Sequence, residues 1–174
     1  MTLTGIAIEV SPPVRGDLEQ RPLGVIGLES AVAITAISRR TWWRRISAGL
    51  ARRLPNVGGR TMLALSDVIP EISIPFSQED LEMLIKAENG DAEAQADIGA
   101  LFISANKHKA AFHWLKRAAN QGSADAMHWI GMAYASGKGV PRDEVAAVMW
   151  IAKAASFGHV IAREQMHFIR VKEA

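Results

Sequence analysis

Ala118-Ala119-Asn120-Gln121-Gly122-Ser123-Ala124-Asp125-Ala126 is the stretch whose reading decides the fold. Gly122 stands just past a run with helical spacing, where a residue of positive φ ends a helix at little cost. Ser123 follows at once, and serine is a good N-cap for the next helix. The paired alanines Ala118 and Ala119 let two helices approach closely at this corner. Ala154-Ala155-Ser156-Phe157-Gly158 repeats the corner thirty-six residues later, and Asn89-Gly90-Asp91 is a further copy.

The self-similarity extends well beyond the corner. Residues 92–102, from Ala92 through Ile98 and Gly99 to Phe102, align without gaps to residues 124–134, from Ala124 through Ile130 and Gly131 to Tyr134, at an offset of 32. Residues 111–122, including Trp114, align to residues 147–158, including Trp150, at an offset of 36. The four extra residues fall in one loop, Ser136 to Asp143. A third copy starts at Val160 and runs to about Val171, with Met166 where Ile98 and Ile130 stand. Units of this length, each two helices long, predict an α-solenoid. Glycine inside a helix costs about 0.5–1 kcal/mol relative to alanine. Gly99 and Gly131 at one register therefore predict a neighbouring helix passing where a Cβ would sit. Trp114 and Trp150 become the large core members beside them.

These residues resemble the Sel1-like repeat family, a relative of the tetratricopeptide repeat. The family pattern looks like A-x-A-x-x-x-L-G-x-x-Y, then G-x-G-V-x-x-D, then A-x-x-W-x-x-x-A-A-x-x-G. The unit from Ala124 to Gly158 carries nearly all of it, with Tyr134, Gly137, Gly139, Val140, Asp143, Trp150, Ala154 and Ala155 in place. The first unit lacks the G-x-G-V loop and has Phe102 for the tyrosine; the third has Val160 for the first alanine and His167 for the helix glycine. The resemblance covers about residues 77–171 and not residues 1–76. It implies an adaptor, typically bacterial, whose inner helices line a concave surface for another protein or peptide.

Around this array the chain divides at about residue 76. Ser77-Gln78-Glu79-Asp80 is a capping-box signature opening a helix over 77–89, a cap for the repeats at 91–122 and 123–158, with the degenerate unit 159–171 closing the other end. Residues 1–76 form a partly helical, irregular extension. Gly5 to Val10 alternates weakly, like a strand ended by Pro12 and Pro13. Leu28 to Ile37 fits a helix slightly better than a strand. From Thr41 to Leu54 a 3.6-residue period places Trp42, Trp43, Ile46, Leu50 and Leu54 on one face, with Arg44, Arg45 and Arg52 on the other, and Pro55 as the stop. Residues 56–60 read as a turn and 61–67 as a short helical piece. Residues 68–76, with prolines at 70 and 75, read as an extended connector whose Ile72, Ile74 and Phe76 share an edge. The expected fold class is thus all-α, a short α-α solenoid with this extension.

Nearly half the 174 residues are apolar (49%) and 22% are charged, which suits a folded chain and excludes a disordered one. The absence of cysteine excludes disulfides, thiol chemistry and cysteine-ligated metals. The first sixty residues hold nine arginines against four acids, so the N-terminal part is basic through Arg alone. No secretory signal is visible, and the longest apolar run, Leu23 to Ile37, is short for a membrane span and contains Glu29; a cytoplasmic location is expected.

The residues offer little chemistry. His108, His113, His128, His159 and His167 form no i, i+4 pair, so no metal is expected. Gly137-Lys138-Gly139 lacks the remainder of a phosphate loop and follows a helix. Its structural role is expected to be helix termination by Gly137, core filling by Val140 and capping by Asp143. No paired carboxylates and no nucleophile–base set occur, so neither an enzyme nor a cofactor is expected. The leading expectation is a non-catalytic adaptor that binds a protein or peptide through Gln95, Asp97, Met127, His128 and Met132 on the inner helices. The alternative places an anionic-membrane or nucleic-acid contact on the basic helix, through Arg44, Arg45 and Arg52.

Overall fold

A computed structural model describes residues 24–172; the weak strand expected at Gly5–Val10 lies outside them. The repeat half begins with α4 (Gln78–Glu88), following three shorter helices described below, and its N-terminus is closed by the reciprocal box between Ser77 and Asp80. It continues with α5 (Ala92–Ser104), α6 (His108–Asn120), α7 (Ala124–Ser136), α8 (Glu144–Ser156) and α9 (Val160–Lys172). Three-residue turns join all of these except α7 and α8, so each helix folds back on its predecessor and the neighbours in sequence are the neighbours in space.

The corners are built from the residues that announced them. At Gly90, Gly122 and Gly158 the backbone is left-handed, with φ of 107°, 96° and 96°. The amide after each glycine reaches back to the helix: Asp91 to the Lys86 carbonyl (3.1 Å), Ser123 to Ala118 (3.2 Å), His159 to Ala154 (3.0 Å). This is the six-to-one bond that satisfies a helix's last carbonyls. Asp91, Ser123 and Asp143 then cap α5, α7 and α8 by accepting the amides of Ala94, Ala126 and Ala146. At α9 the imidazole Nδ1 of His159 does the same for Ala162. Met166 packs on the core as its register requires.

The N-terminal segment contains more than helix. A short strand β1 (Val25–Gly27) leads into α1 (Leu28–Thr35), then α2 (Arg39–Ser47), a hairpin of β2 (Arg53–Val57) and β3 (Arg60–Ala64), α3 (Leu65–Val68) and a 3-10 turn (Ile69–Glu71). The three strands form an antiparallel sheet in the order β1-β3-β2.

The helix expected over 41–54 is therefore corrected: it starts at Arg39 behind its cap Ser38 and stops at Ser47. Gly49, at φ 71°, is the reason. Its amide donates to the Ile46 carbonyl and that of Leu50 donates to Arg45, which seals the helix as at the repeat corners. The expected apolar face is thereby divided. Trp42 is fully buried, its indole N–H donating to Thr35 Oγ1 at 3.3 Å, whereas Trp43 and Leu50 are exposed and Leu54 belongs to β2. Pro55 sits inside an edge strand, between Leu54 and Val57 where the register is irregular, one of the few places a sheet tolerates proline. Gly58 and Gly59, at φ 57° and 76°, make the two-residue turn that hairpins favour. The helical piece expected over 61–67 is strand up to Ala64 and helix only from Leu65. The connector is not extended throughout, because Pro70 lies in the 3-10 turn. Its Ile72, Ile74 and Phe76 do lie on the core, Phe76 meeting Phe102 with ring centroids 5.9 Å apart.

One contiguous set of buried apolar residues runs from Ile26 and Trp42 through Leu84, Ile98, Trp114 and Ile130 to Ala162. Trp114 is fully buried in it, while Trp150 is half-buried against its edge. Among the described residues no helix is long and apolar enough to cross a membrane.

Candidate interaction groove

Gly99 and Gly131 set the spacing of the repeat helices. A Cβ on Gly99 would stand 2.7 Å from both Cγ and Cδ2 of Leu115. One on Gly131 would stand 2.6 Å from Ile151 Cγ1 and 3.2 Å from the Ala147 carbonyl oxygen. α6 and α8 thus pass over α5 and α7 at a distance that only a glycine hydrogen permits, which is the close approach read from their register.

Drawing α6 so near brings its apolar residues between α5 and α7, and a groove results. Its cavity of about 200 Å³ is lined by Ile103 of α5, Ala111, Phe112 and Leu115 of α6, and Trp129 and Met132 of α7. His108, Ser136 and Lys138 supply the polar groups of its rim. Phe112 is steadied by an edge-on contact with Tyr134 at 5.8 Å. The loop after α7 closes one end. Gly139, at φ 83°, lies so near the start of α6 that a Cβ there would be 2.7 Å from the His108 carbonyl, and this places Lys138 at the mouth. Gly137 terminates α7 in the left-handed region and Asp143 caps α8, as expected, while Val140 is half-buried.

Two large apolar side chains stay in solvent here, Trp129 at 41% and Met132 at 38% exposure. Of the expected contact residues, Met132 belongs to the groove. Gln95 and Met127 do not, being 1% exposed each. They occupy one register position, 32 residues apart, that faces the stack's interior. The Gln95 amide donates to the Ala87 carbonyl and its oxygen accepts from Gln121, both at 2.8 Å. Asp97 is exposed on the far side of α5, among the acids Glu79, Glu82, Asp91 and Glu93. His128 stacks on His159, with centroids 4.2 Å apart, and bonds to Gln165. Burial, and then the neighbouring His159, press its pKa below the usual histidine value. The structure thus scatters the five expected residues instead of assembling them.

Trp129 was not among them, although the register marks it. Its counterparts are Asp97 one repeat earlier and Gln165 one repeat later. A position that takes Asp and Gln faces solvent, so a tryptophan there is a surface tryptophan.

The basic helix does not present the expected face either. Arg45 is paired with Glu71 at 2.9 Å and stacked on Trp42. Arg52 lies beyond the helix, bonded to both Asp67 oxygens, and chiefly through that bond it holds the Asp67 carboxyl below the usual range. Arg44 alone remains on the exposed side of α2 as expected. Among the described residues no group of three or more His, Asp or Glu is placed to hold a metal.

A profile of the Sel1 repeat matches residues 92–123 and 124–159. Residues 92–159 thus carry two matches to the Sel1 repeat. Their boundaries enclose the helix pairs α5–α6 and α7–α8, each ending one residue past its corner glycine. A crystal structure of a Sel1 repeat protein from Oxalobacter formigenes is similar at 26% identity, covering 80% of this chain and 94% of that one, with a TM-score of 0.47. No curated protein matches the chain. Sel1 repeats generally bind other proteins.

Proposed function

We propose that this chain is a non-catalytic interaction module that seats an apolar side chain of a partner polypeptide in the groove between its Sel1 repeats. The observation that carries this is the exposure of Trp129 and Met132 over an apolar floor. Leaving such side chains about two-fifths exposed forgoes part of the about 1.5–3 kcal/mol that full burial gives each, and large apolar residues clustered at a cleft are where interfaces concentrate their binding energy. Moving by one repeat carries Phe112 and Leu115 onto Val148 and Ile151, and Val148 is exposed in its turn. A second apolar step therefore follows the first, which suits a partner segment with more than one apolar anchor.

The basic-surface alternative loses its support, because two of its three arginines are held by acids of the same chain.

Selection of a random peptide library on the full chain tests the groove. Selected peptides should share an apolar anchor, and Trp129→Ala or Met132→Ala should weaken them about tenfold or more, with the circular dichroism spectrum unchanged. Selected peptides indifferent to both substitutions would remove the groove from the proposal.

A further inference from the structure

A second cavity, remote from the groove, lies where α1, α2 and the hairpin meet α6. It is a cleft of about 340 Å³ with charged side chains in its lining. Three arginines reach it from separate parts of the chain: Arg39 of α2, Arg60 of β3 and Arg117 of α6. Two carboxylates share it, Glu29 and Glu88.

The charges do not cancel, and the remainder has an address. Glu88 is 4% exposed and fully engaged. Its Oε1 accepts the Gly27 amide at 3.1 Å; its Oε2 accepts the Ser30 hydroxyl at 2.6 Å and the Arg117 guanidinium at 3.0 Å. Arg117 also donates to the carbonyls of Ala87 and Glu88, both at 3.2 Å, and lies over the Trp114 ring. Glu29 is taken by Arg39. What is left is Arg60, whose ion pair with Glu88 is long, at 3.5 Å to an oxygen already serving Gly27, and whose side chain is 53% exposed. His113 adds no charge at neutral pH: burial first, then the nearby Arg117, lowers its pKa, and its Nε2 lies 3.3 Å from Ser30 Oγ. The cleft carries one net positive charge, held on a guanidinium that retains most of its five donors.

Beside it stands Trp43, half exposed and backed by the Arg53 guanidinium at 5.6 Å. Gly59 of the hairpin turn also lines the cleft, with open space where its Cβ would be.

We propose that this cleft binds a carboxylate, with Arg60 as its anchor and the Trp43 indole as the wall for the apolar body attached to it. A carboxylate matches the guanidinium fork with two parallel bonds and carries one charge, the amount left over here. A phosphate dianion would carry a second charge toward Glu29 and Glu88, and the neighbouring Arg53 guanidinium does not line the cleft. The carboxylate belongs to a free organic acid or to the C-terminus of a polypeptide, and the recognising chemistry is the same for both.

Titration calorimetry on the full chain at low ionic strength decides it, with benzoate against benzamide, and a pentapeptide ending in phenylalanine as free acid against the same peptide as amide. Benzoate should bind saturably and benzamide about tenfold or more weakly. Arg60→Gln should lower benzoate affinity by a similar factor while its melting temperature confirms the fold, and Trp43→Ala should lower it while Trp43→Phe largely preserves it. A peptide acid that binds more tightly than benzoate assigns the site to chain termini; benzoate binding without peptide binding assigns it to small acids. Equal affinity for acid and amide, no saturable benzoate binding, or indifference to Arg60→Gln overturns the proposal.

Discussion

Gly99→Ala is the substitution on which the packing account can be tested most directly. On helical propensity alone, alanine should stabilise α5 by about 0.5–1 kcal/mol. The structure reverses that sign. The added Cβ would lie 2.7 Å from two carbons of Leu115, a side chain that is 2% exposed and enclosed by its neighbours. Overpacking a filled core costs about 1–3 kcal/mol, so the net effect is a loss of about 1–2 kcal/mol. In a chain of this size that lowers the melting temperature by about 2–8 °C. Leu115→Ala removes both clashing carbons, and the nearest remaining neighbour is then the Leu115 amide nitrogen at 3.5 Å, an ordinary contact. In that background Gly99→Ala should therefore recover its propensity gain, and a double-mutant cycle should give a favourable coupling of about 1–3 kcal/mol. Urea denaturation followed by circular dichroism at 222 nm measures all four corners of the cycle. Should Gly99→Ala stabilise the otherwise unaltered protein, or should the two substitutions simply add, the helices are not held at glycine distance and the account of the groove floor fails with it.

Two further outcomes follow from the charged groups. Arg117→Met leaves the buried Glu88 carboxylate without its main counter-charge and should cost about 3–5 kcal/mol in chemical denaturation, whereas Arg44→Met, on an exposed position, should change stability by less than about 0.5 kcal/mol. His113 and His128 have pKa values lowered in the folded state from the ordinary 6.5, so the unfolded chain binds more protons just below that pH. Their contribution is fully present above pH 6.5 and is lost as the pH falls toward the folded-state values; thermal melts from pH 7.5 to 5.5 should show this decline, and His113→Gln or His128→Gln should each flatten it.

The two halves of the chain were unequally legible, for a physical reason. In the repeats each structural demand is stated more than once: Gly99 and Gly131, Trp114 and Trp150, the corner glycines at 122 and 158. Coincidence of register turns a weak local preference into a constraint on packing, and helices α4 to α9 follow from it within a residue or two. The N-terminal segment states each demand once, and there local cues compete. A 3.6-residue period continued past Gly49 in the sequence, but the chain obeys the left-handed glycine. Gly58-Gly59 is a hairpin signal whose flanking strands, Arg53-Leu54-Pro55-Asn56-Val57 and Arg60-Thr61-Met62-Leu63-Ala64, alternate too poorly to be recognised without their partner β1. The groove was half legible. Its helices and its Met132 could be placed, but choosing contact residues from the geometry of single helices drew in Gln95 and Met127, whereas substitution across the repeats singles out Trp129.

The same register argument explains how so short an array can stand. Solenoids bury each face against the next unit, and about three units are ordinarily needed. Here the N-terminal segment supplies one missing face: Leu28, Ala31 and Ile34 of α1 join the core, and Glu88 and Arg117 tie α1 to α4 and α6 across residues far apart in sequence. At the opposite end, His167 stands in α9 where glycine stands in α5 and α7. With an imidazole at that register, α9 lacks the glycine that lets α6 approach α5 and α8 approach α7 so closely. The groove floored by Leu115 lies between two repeats that are braced from the side by residues 24–76, and the stiffness of that frame is what would let two exposed side chains, Trp129 and Met132, meet a partner without first having to be ordered.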